Sequence, residues 1–240
     1  MQSLLRLAPR SLLGSTRFGD AAVDPYAGWE LVYDAATADG YELNAGAVET
    51  INDLGPAGAD HTVTQATATR RAAVSGGAFV FDGTSDSYPV NSFAAAMNAT
   101  EWVMPIKITP TNFAANRNVM SLVPSSGSGI LSISTRTTGR VRFQLTDASL
   151  VNLALFDIGS DGINGTPFSA GAPIDLTLTV SGDEMSILLG ETEIVTGKSF
   201  PTTSQDAIYA VGAFGSHTNS GGTPSAFFLG SIAHLYWKAL

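Results

Sequence analysis

From Trp29 onward, apolar and polar positions alternate with a period of two in segment after segment. In residues 140–146, Val141, Phe143 and Leu145 fall on one face and Arg140, Arg142 and Gln144 on the other. Residues 174–181 repeat the pattern, with Ile174, Leu176, Leu178 and Val180 opposite Asp175, Thr177, Thr179 and Ser181. Period two with one polar face predicts half-buried antiparallel strands. Ser181-Gly182-Asp183 reads as a turn, residues 185–189 return, Leu189-Gly190-Glu191 turns again, and residues 192–195 follow. That is a meander of short hairpins. Residues 207–214 and 226–236 supply two more strands, separated by the polar loop 215–225. Helix signals are thin, and residues 92–98 could form one or two turns. No linker and no fixed repeat divides the body. The pattern predicts one all-β antiparallel sandwich over residues 20–240, preceded by an N-terminal arm, because many half-buried strands must pair two apolar faces.

Composition narrows the function classes. The 240 residues are 44% hydrophobic and only 14% charged, with 25 glycines, 11 prolines and three lysines: Lys107, Lys198 and Lys238. A helical bundle needs far more Leu, Glu and Lys. With no cysteine, disulfide frameworks, zinc-thiolate sites and a Cys nucleophile are excluded. The net charge is −9; Arg6, Arg10 and Arg17 give residues 1–19 a charge of +3, so the remainder carries −12. An acidic body disfavours nucleic acid, whose phosphates need clustered cations. No apolar run of membrane-spanning length occurs.

Residues 1–19, MQSLLRLAPRSLLGSTRFG, are Leu-, Ser- and Arg-rich and free of acids. The composition resembles an organellar transit peptide, while Arg6 and Pro9 interrupt any secretory apolar region. Pro9 also breaks a single amphipathic helix. If the arm is retained and ordered, its apolar and basic residues must be held. Leu4, Leu5, Arg6, Arg10, Leu12, Leu13 and Arg17 are the candidates for docking on a partner. Packing of the leucines on the chain's own body is the alternative.

Four segments carry a family resemblance. Asp53-Leu54-Gly55, Gly58 and residues 60–66 (DHTVTQA) resemble a D-L-S-G-x-G-N-x-A-x-Q stretch. Val80-Phe81-Asp82-Gly83-Thr84-Ser85-Asp86 resembles F-D-G-x-x-D. Residues 176–195 resemble a strand–turn–strand–N-G–strand unit, and residues 227–236 (FFLGSIAHLY) an F-x-G-x-I-x-E-L closing strand. In this order they resemble the concanavalin A-like, laminin-G-type jelly rolls over residues 29–240. Ser is missing after Leu54, Ala72 stands where Pro is common, and His234 replaces the usual acid. The resemblance implies a jelly-roll sandwich shared by lectins, carbohydrate-binding modules, glycosidases and surface-appended domains. The composition and basic arm also resemble those of tailed-phage or gene-transfer-particle virion proteins. That second resemblance implies a non-enzymatic fibre, spike or decoration protein at a particle surface, or otherwise outside the cell. Its partners would be other particle subunits met through the arm, copies of itself, and a host surface polysaccharide. A secreted carbohydrate-binding module is the alternative; a glycosidase is the least favoured reading.

The candidate chemistry is sparse. Glycosidases on this fold flank the scissile bond with paired acids; here Asp183-Glu184 sits in a turn, and Glu191 and Glu193 share a hairpin without a third acid. Gly197-Lys198-Ser199 lacks the first glycine and the following helix of a phosphate loop. Asp157–Gly162 is half a calcium loop, missing ligands at Gly159 and Phe168. Asp82 and Asp86 could take an ion or serve an Asx-turn, and the turn is the simpler reading. No cofactor is implied, and calcium is the one ion whose ligands are even partly present. The histidines share no metal spacing, and no nucleophile elbow occurs. For sugar binding, Trp29, Trp102 and Trp237 are the large aromatics, although such residues commonly fill cores. The polar loop His217, Thr218, Asn219, Ser220 and Gly221-Gly222 is the glycan-binding candidate, with a plain connecting hairpin as the alternative.

Overall fold

Every second residue of the segment at 102–110 goes inside: Trp102, Met104, Ile106 and Ile108 are buried, and Val103, Pro105, Lys107 and Thr109 lie between them toward solvent. The same rule builds two large antiparallel sheets in the computed structural model, which describes residues 24–90, 101–124, 130–146, 152–199, 209–218 and 223–240. Strands are numbered along the chain. The first sheet contains β1 (Leu31–Asp34), β5 (Ala73–Ser75), β6 (Ala78–Asp82), β8 (Trp102–Pro110), β14 (Ile174–Ser181), β15 (Glu184–Leu189), β16 (Thr192–Ser199) and β20 (Leu229–Ala239). Its order is β16-β15-β14-β8-β20-β6-β5, and β1 also pairs with β20. The second contains β7 (Tyr88–Pro89), β9 (Arg117–Pro124), β10 (Leu131–Thr135), β11 (Val141–Thr146), β12 (Asn152–Gly159), β13 (Gly162–Ile163) and β17 (Tyr209–Phe214). Its order is β13-β12-β11-β10-β9-β17-β7. A small sheet of β2 (Tyr41–Asn44), β3 (Ala47–Ile51) and β4 (Val63–Thr64) adds Val48, Ile51 and Val63 to the core.

The expected all-β sandwich and its hairpins are present. The 174–181 strand buries Ile174, Leu176, Leu178 and Val180, and the 141–146 strand buries Val141, Phe143 and Leu145. Between the sheets, Phe214 meets Phe81 edge-on at 5.7 Å and Tyr33 in a tilted contact at 5.9 Å. Such pairs add to the burial of the rings themselves, about 1.5–3 kcal/mol for each Phe taken from water. The arm and the segment at 92–98 lie outside the described residues.

β20 decides where the site forms. Its eleven residues offer one edge to two strands in succession, β6 along Leu229–Ile232 and β1 along His234–Trp237. Alternation breaks where the two meet. Ile232 and Leu235 are both buried, and Ala233 and His234 between them both remain half-exposed. Opposite β8, the pairing steps from Ile232↔Ile108 to His234↔Lys107, so Ala233 is the extra residue of a β-bulge. A bulge of this kind re-aims a side chain, and here it turns His234 to the outer face.

Candidate functional site

Register aligns four polar side chains across four adjacent strands. Asp175 on β14 pairs with Lys107 on β8, Lys107 with His234 on β20, and His234 with Asp34 on β1. Asp175 and Lys107 face outward because their neighbours in sequence, Ile174, Leu176, Ile106 and Ile108, fill the core. His234 joins them through the bulge. Strands stand about 4.8 Å apart, so the outer face presents acid, ammonium, imidazole and acid in a row.

Each member is held differently. Lys107 Nζ lies 3.7 Å from Asp175 Oδ2, and both side chains are about two-fifths exposed, 40% and 42%. An ion pair so exposed contributes little stability, on the order of 0–1 kcal/mol. Asp34 is 9% exposed and fully engaged. Its Oδ1 accepts the Ala36 N–H at 2.8 Å. Its Oδ2 accepts the Tyr236 hydroxyl at 2.5 Å and the Tyr26 hydroxyl at 3.2 Å. Both phenols are pushed up in pKa, first by burial and then by Asp34. The His234 ring stacks on Tyr236 at 4.7 Å with the planes 23° apart. Burial lowers the imidazole's pKa, and Lys107 adds to this, while Asp175 and Asp34 pull the other way. His234 therefore favours the neutral form, with one nitrogen to donate and one to accept. Tyr236 in turn meets Trp29 at 5.6 Å, and Lys238 Nζ sits 5.1 Å above the Trp29 ring.

Beside this row lies a pocket of about 440 Å³. It opens where β1 ends and the β5–β6 hairpin begins, the two elements that share the edge of β20. Asp34, Ser75, Lys107, Thr109, Ser231 and His234 contribute polar groups. The Gly76-Gly77 turn, with φ of 58° and 73°, closes one side. Two consecutive positive φ values match the tight hairpin turn whose twist suits the strands, which glycine adopts freely. The volume falls within the range of small-molecule sites. Hydroxyl, imidazole, ammonium and carboxylate groups around such a space can bind a polyhydroxylated ligand by paired donation and acceptance.

Of the sequence-derived candidates, those among the described residues do not belong to this row. Leu4, Leu5, Arg6, Arg10, Leu12, Leu13 and Arg17 lie outside the described residues, as do Asn219 and Ser220. His217 and Thr218 form a two-residue strand, β18, pairing with β19 (Pro224–Ser225). The Thr218 N–H donates to Ser121 Oγ at 2.9 Å, which ties this hairpin to β9. Thr218 is 1% exposed and so offers no surface to a ligand, while His217 is half-buried. Trp102 and Trp237 are core residues; Trp29 stays partly exposed beside Tyr236. Asp82 caps its own turn, with Oδ1 accepting the amides of Thr84 at 2.8 Å and Ser85 at 2.9 Å. Asp157 is paired with Arg142 at 2.6 and 3.0 Å, and Asp161 accepts the Thr166 amide at 2.5 Å. Glu191 and Glu193 are exposed on the β15–β16 hairpin. Asp34, Lys107, Asp175 and Tyr236 were not singled out as site residues by the sequence. His234 had stood out only as a departure from the closing-strand pattern.

No protein-family model matches the sequence, and no curated protein sequence matches it. Solved structures do match its fold. A mutant of the NanB sialidase from Streptococcus pneumoniae aligns with a TM-score of 0.53 at 17% identity, over 69% of this chain and 26% of that one. The CBM40 of the Ruminococcus gnavus IT-sialidase, bound to α2,3-sialyllactose, aligns at 0.53 and 14% identity over 68% of this chain and 90% of that module. The Trypanosoma rangeli sialidase in complex with sialic acid aligns at 0.54 and 11% identity over 90% of this chain and 32% of that one. This chain thus spans about a quarter to a third of the sialidase chains and nearly the whole of the CBM40 module. At these identities the likeness establishes the sandwich fold.

Proposed function

We propose that this chain is a glycan-binding module that holds its ligand without transforming it. The observation that carries the reading is the Asp175–Lys107–His234–Asp34 row bordering the 440 Å³ pocket on the outer face of the first sheet. A sandwich of the same fold, aligned over 68% of this chain, has been seen with sialyllactose bound, which supports a carbohydrate as the ligand class. Fold alone does not fix function, so the reading rests on the site. The particle-surface role implied by the arm draws support from composition only, and the structural neighbours above do not add to it. We keep an exterior location, on a particle or outside the cell, as part of the proposal.

The test is a glycan array probed with the full chain, followed by calorimetry with the best ligand for wild type and for His234→Ala. Saturable binding, weakened at least about tenfold by the substitution (1.4 kcal/mol per decade), is the expected result. Undiminished binding in a folded His234→Ala variant would move the site elsewhere, and an empty array would sink the function.

A further inference from the structure

We infer that the ligand of this site is an uncharged linear oligosaccharide lying across strands β14, β8, β20 and β1, and that carboxylated sugars are rejected. The inference rests on the glycan-binding reading above and adds the ligand's charge and direction.

Charge comes first. Among the described residues that line the pocket, Lys107 is the one cation. It is already shared with Asp175 at 3.7 Å. Asp34 adds a second carboxylate, and His234 favours its neutral form because it is half-buried against Tyr236. Two carboxylates, Asp34 in the pocket lining and Asp175 beside it on β14, therefore flank one ammonium. The remaining nearby cation, Lys238, sits over Trp29 and does not line the pocket. The surrounding body is itself strongly acidic, with −12 outside the first 19 residues. A sugar carboxylate brought here meets excess negative charge and must share Lys107 with Asp175. Such a built-in repulsion is how a site separates ligands of one shape but different charge.

Direction follows from spacing. Polar groups recur once per strand, at about 4.8 Å, close to the length of one pyranose unit. Hydroxyls donate and accept equally, so successive units can meet an acceptor at Asp175, a donor at Lys107 and a donor–acceptor at His234. Asp34 has less left to give, since it already accepts three hydrogen bonds. Its role at this end is to fix Tyr26 and Tyr236, and with them the imidazole stacked on Tyr236.

The experiment is calorimetry of the full chain with cellotetraose, mannotetraose and chitotetraose, each uncharged, beside 3′-sialyllactose and tetragalacturonate. At least one neutral tetrasaccharide should bind, and both anionic sugars should bind at least about tenfold more weakly. Asp175→Asn should narrow that gap and Lys107→Met should widen it, whatever each does to absolute affinity. An anionic sugar binding as tightly as the best neutral one would overturn the inference and leave the glycan-binding reading standing. A gap unchanged in both folded variants would do the same. If none of the five sugars binds, the inference falls, and the glycan array decides whether the glycan-binding reading falls with it.

Discussion

Asp86 gives the most quantitative handle on this fold. It is 6% exposed, and its Oδ2 accepts the Asp82 N–H at 2.8 Å. Burial first, and then the charge of Asp82, push its carboxyl pKa from 3.8 to about 6. In the unfolded chain it ionises near 3.8. Between those values the folded state binds more protons than the unfolded one, so stability falls as pH rises from 3.8 through about 6 and then levels off. A neutral isostere escapes this loss. Asp86→Asn keeps an oxygen to accept the Asp82 N–H and removes the charge. Linkage gives a gain of about 3 kcal/mol at pH 7.5 and about 0.5 kcal/mol at pH 4. The amide must itself be desolvated, which brings the expected gain at pH 7.5 to about 1–3 kcal/mol. The assay is urea denaturation of both proteins at the two pH values, with the slope m held as a check on the unfolded state. A variant less stable than wild type at pH 7.5, or a difference that does not change with pH, would refute the reasoning.

Other consequences are simpler. Gly215 has φ of +83°, and a Cβ there would lie 2.1 Å from the Phe81 ring. Gly215→Ala should therefore cost more than about 3 kcal/mol in thermal or urea unfolding, because strain and overpacking add. His234 has its pKa lowered by burial, so the unfolded chain takes up its proton first as pH drops below about 6.5. Stability should fall with pH from there, and His234→Gln should flatten that part of a melting-temperature profile; an unchanged profile would show the imidazole to be less buried than described.

Much of the architecture was legible because local alternation is a strong constraint. The faces of β11 and β14 follow residue by residue from the sequence, since one slip would exchange every core and surface side chain. The turn role of Asp82 was also legible, because Asp beside Gly commonly binds its own following amides. The site was not. Its four members come from β1, β8, β14 and β20, and only the pairing register brings residues 34, 107, 175 and 234 into one row. Strict alternation from Ile232 would also send His234 into the core; the bulge at Ala233 is what keeps it out. At His217 and Thr218 the polar composition carries no sign of Ser121, nearly a hundred residues away, whose hydroxyl takes the Thr218 amide.

The bulge can be tested as the device that couples core to site. Counting from Ile232, a regular strand would bury position 234 and expose Leu235. With Ala233 removed, Ile232 and Leu235 are separated by His234 alone, and alternation becomes regular with every core residue still inward. The ladder against β8 also becomes continuous, because Ile232↔Ile108 and His234↔Lys107 are then consecutive pairs. Deleting Ala233 should thus be tolerated by the core. The loss is the backbone bond from the Ala35 N–H to the Ala233 carbonyl, 3.0 Å long, worth on the order of 1 kcal/mol. On the opposite edge the effect is larger. β6 and β1 follow one another along β20, and removing a residue between them draws their ends together by about 3.3 Å. The gap between those ends is where the pocket opens. The deletion should therefore leave circular dichroism near wild type and lower the melting temperature by a few degrees, about 2–4 °C per kcal/mol for a chain of this size. Ligand binding should be abolished. Retained binding in the folded deletion variant would separate the pocket from the bulge and leave the row of charges, not the gap, as the feature that matters.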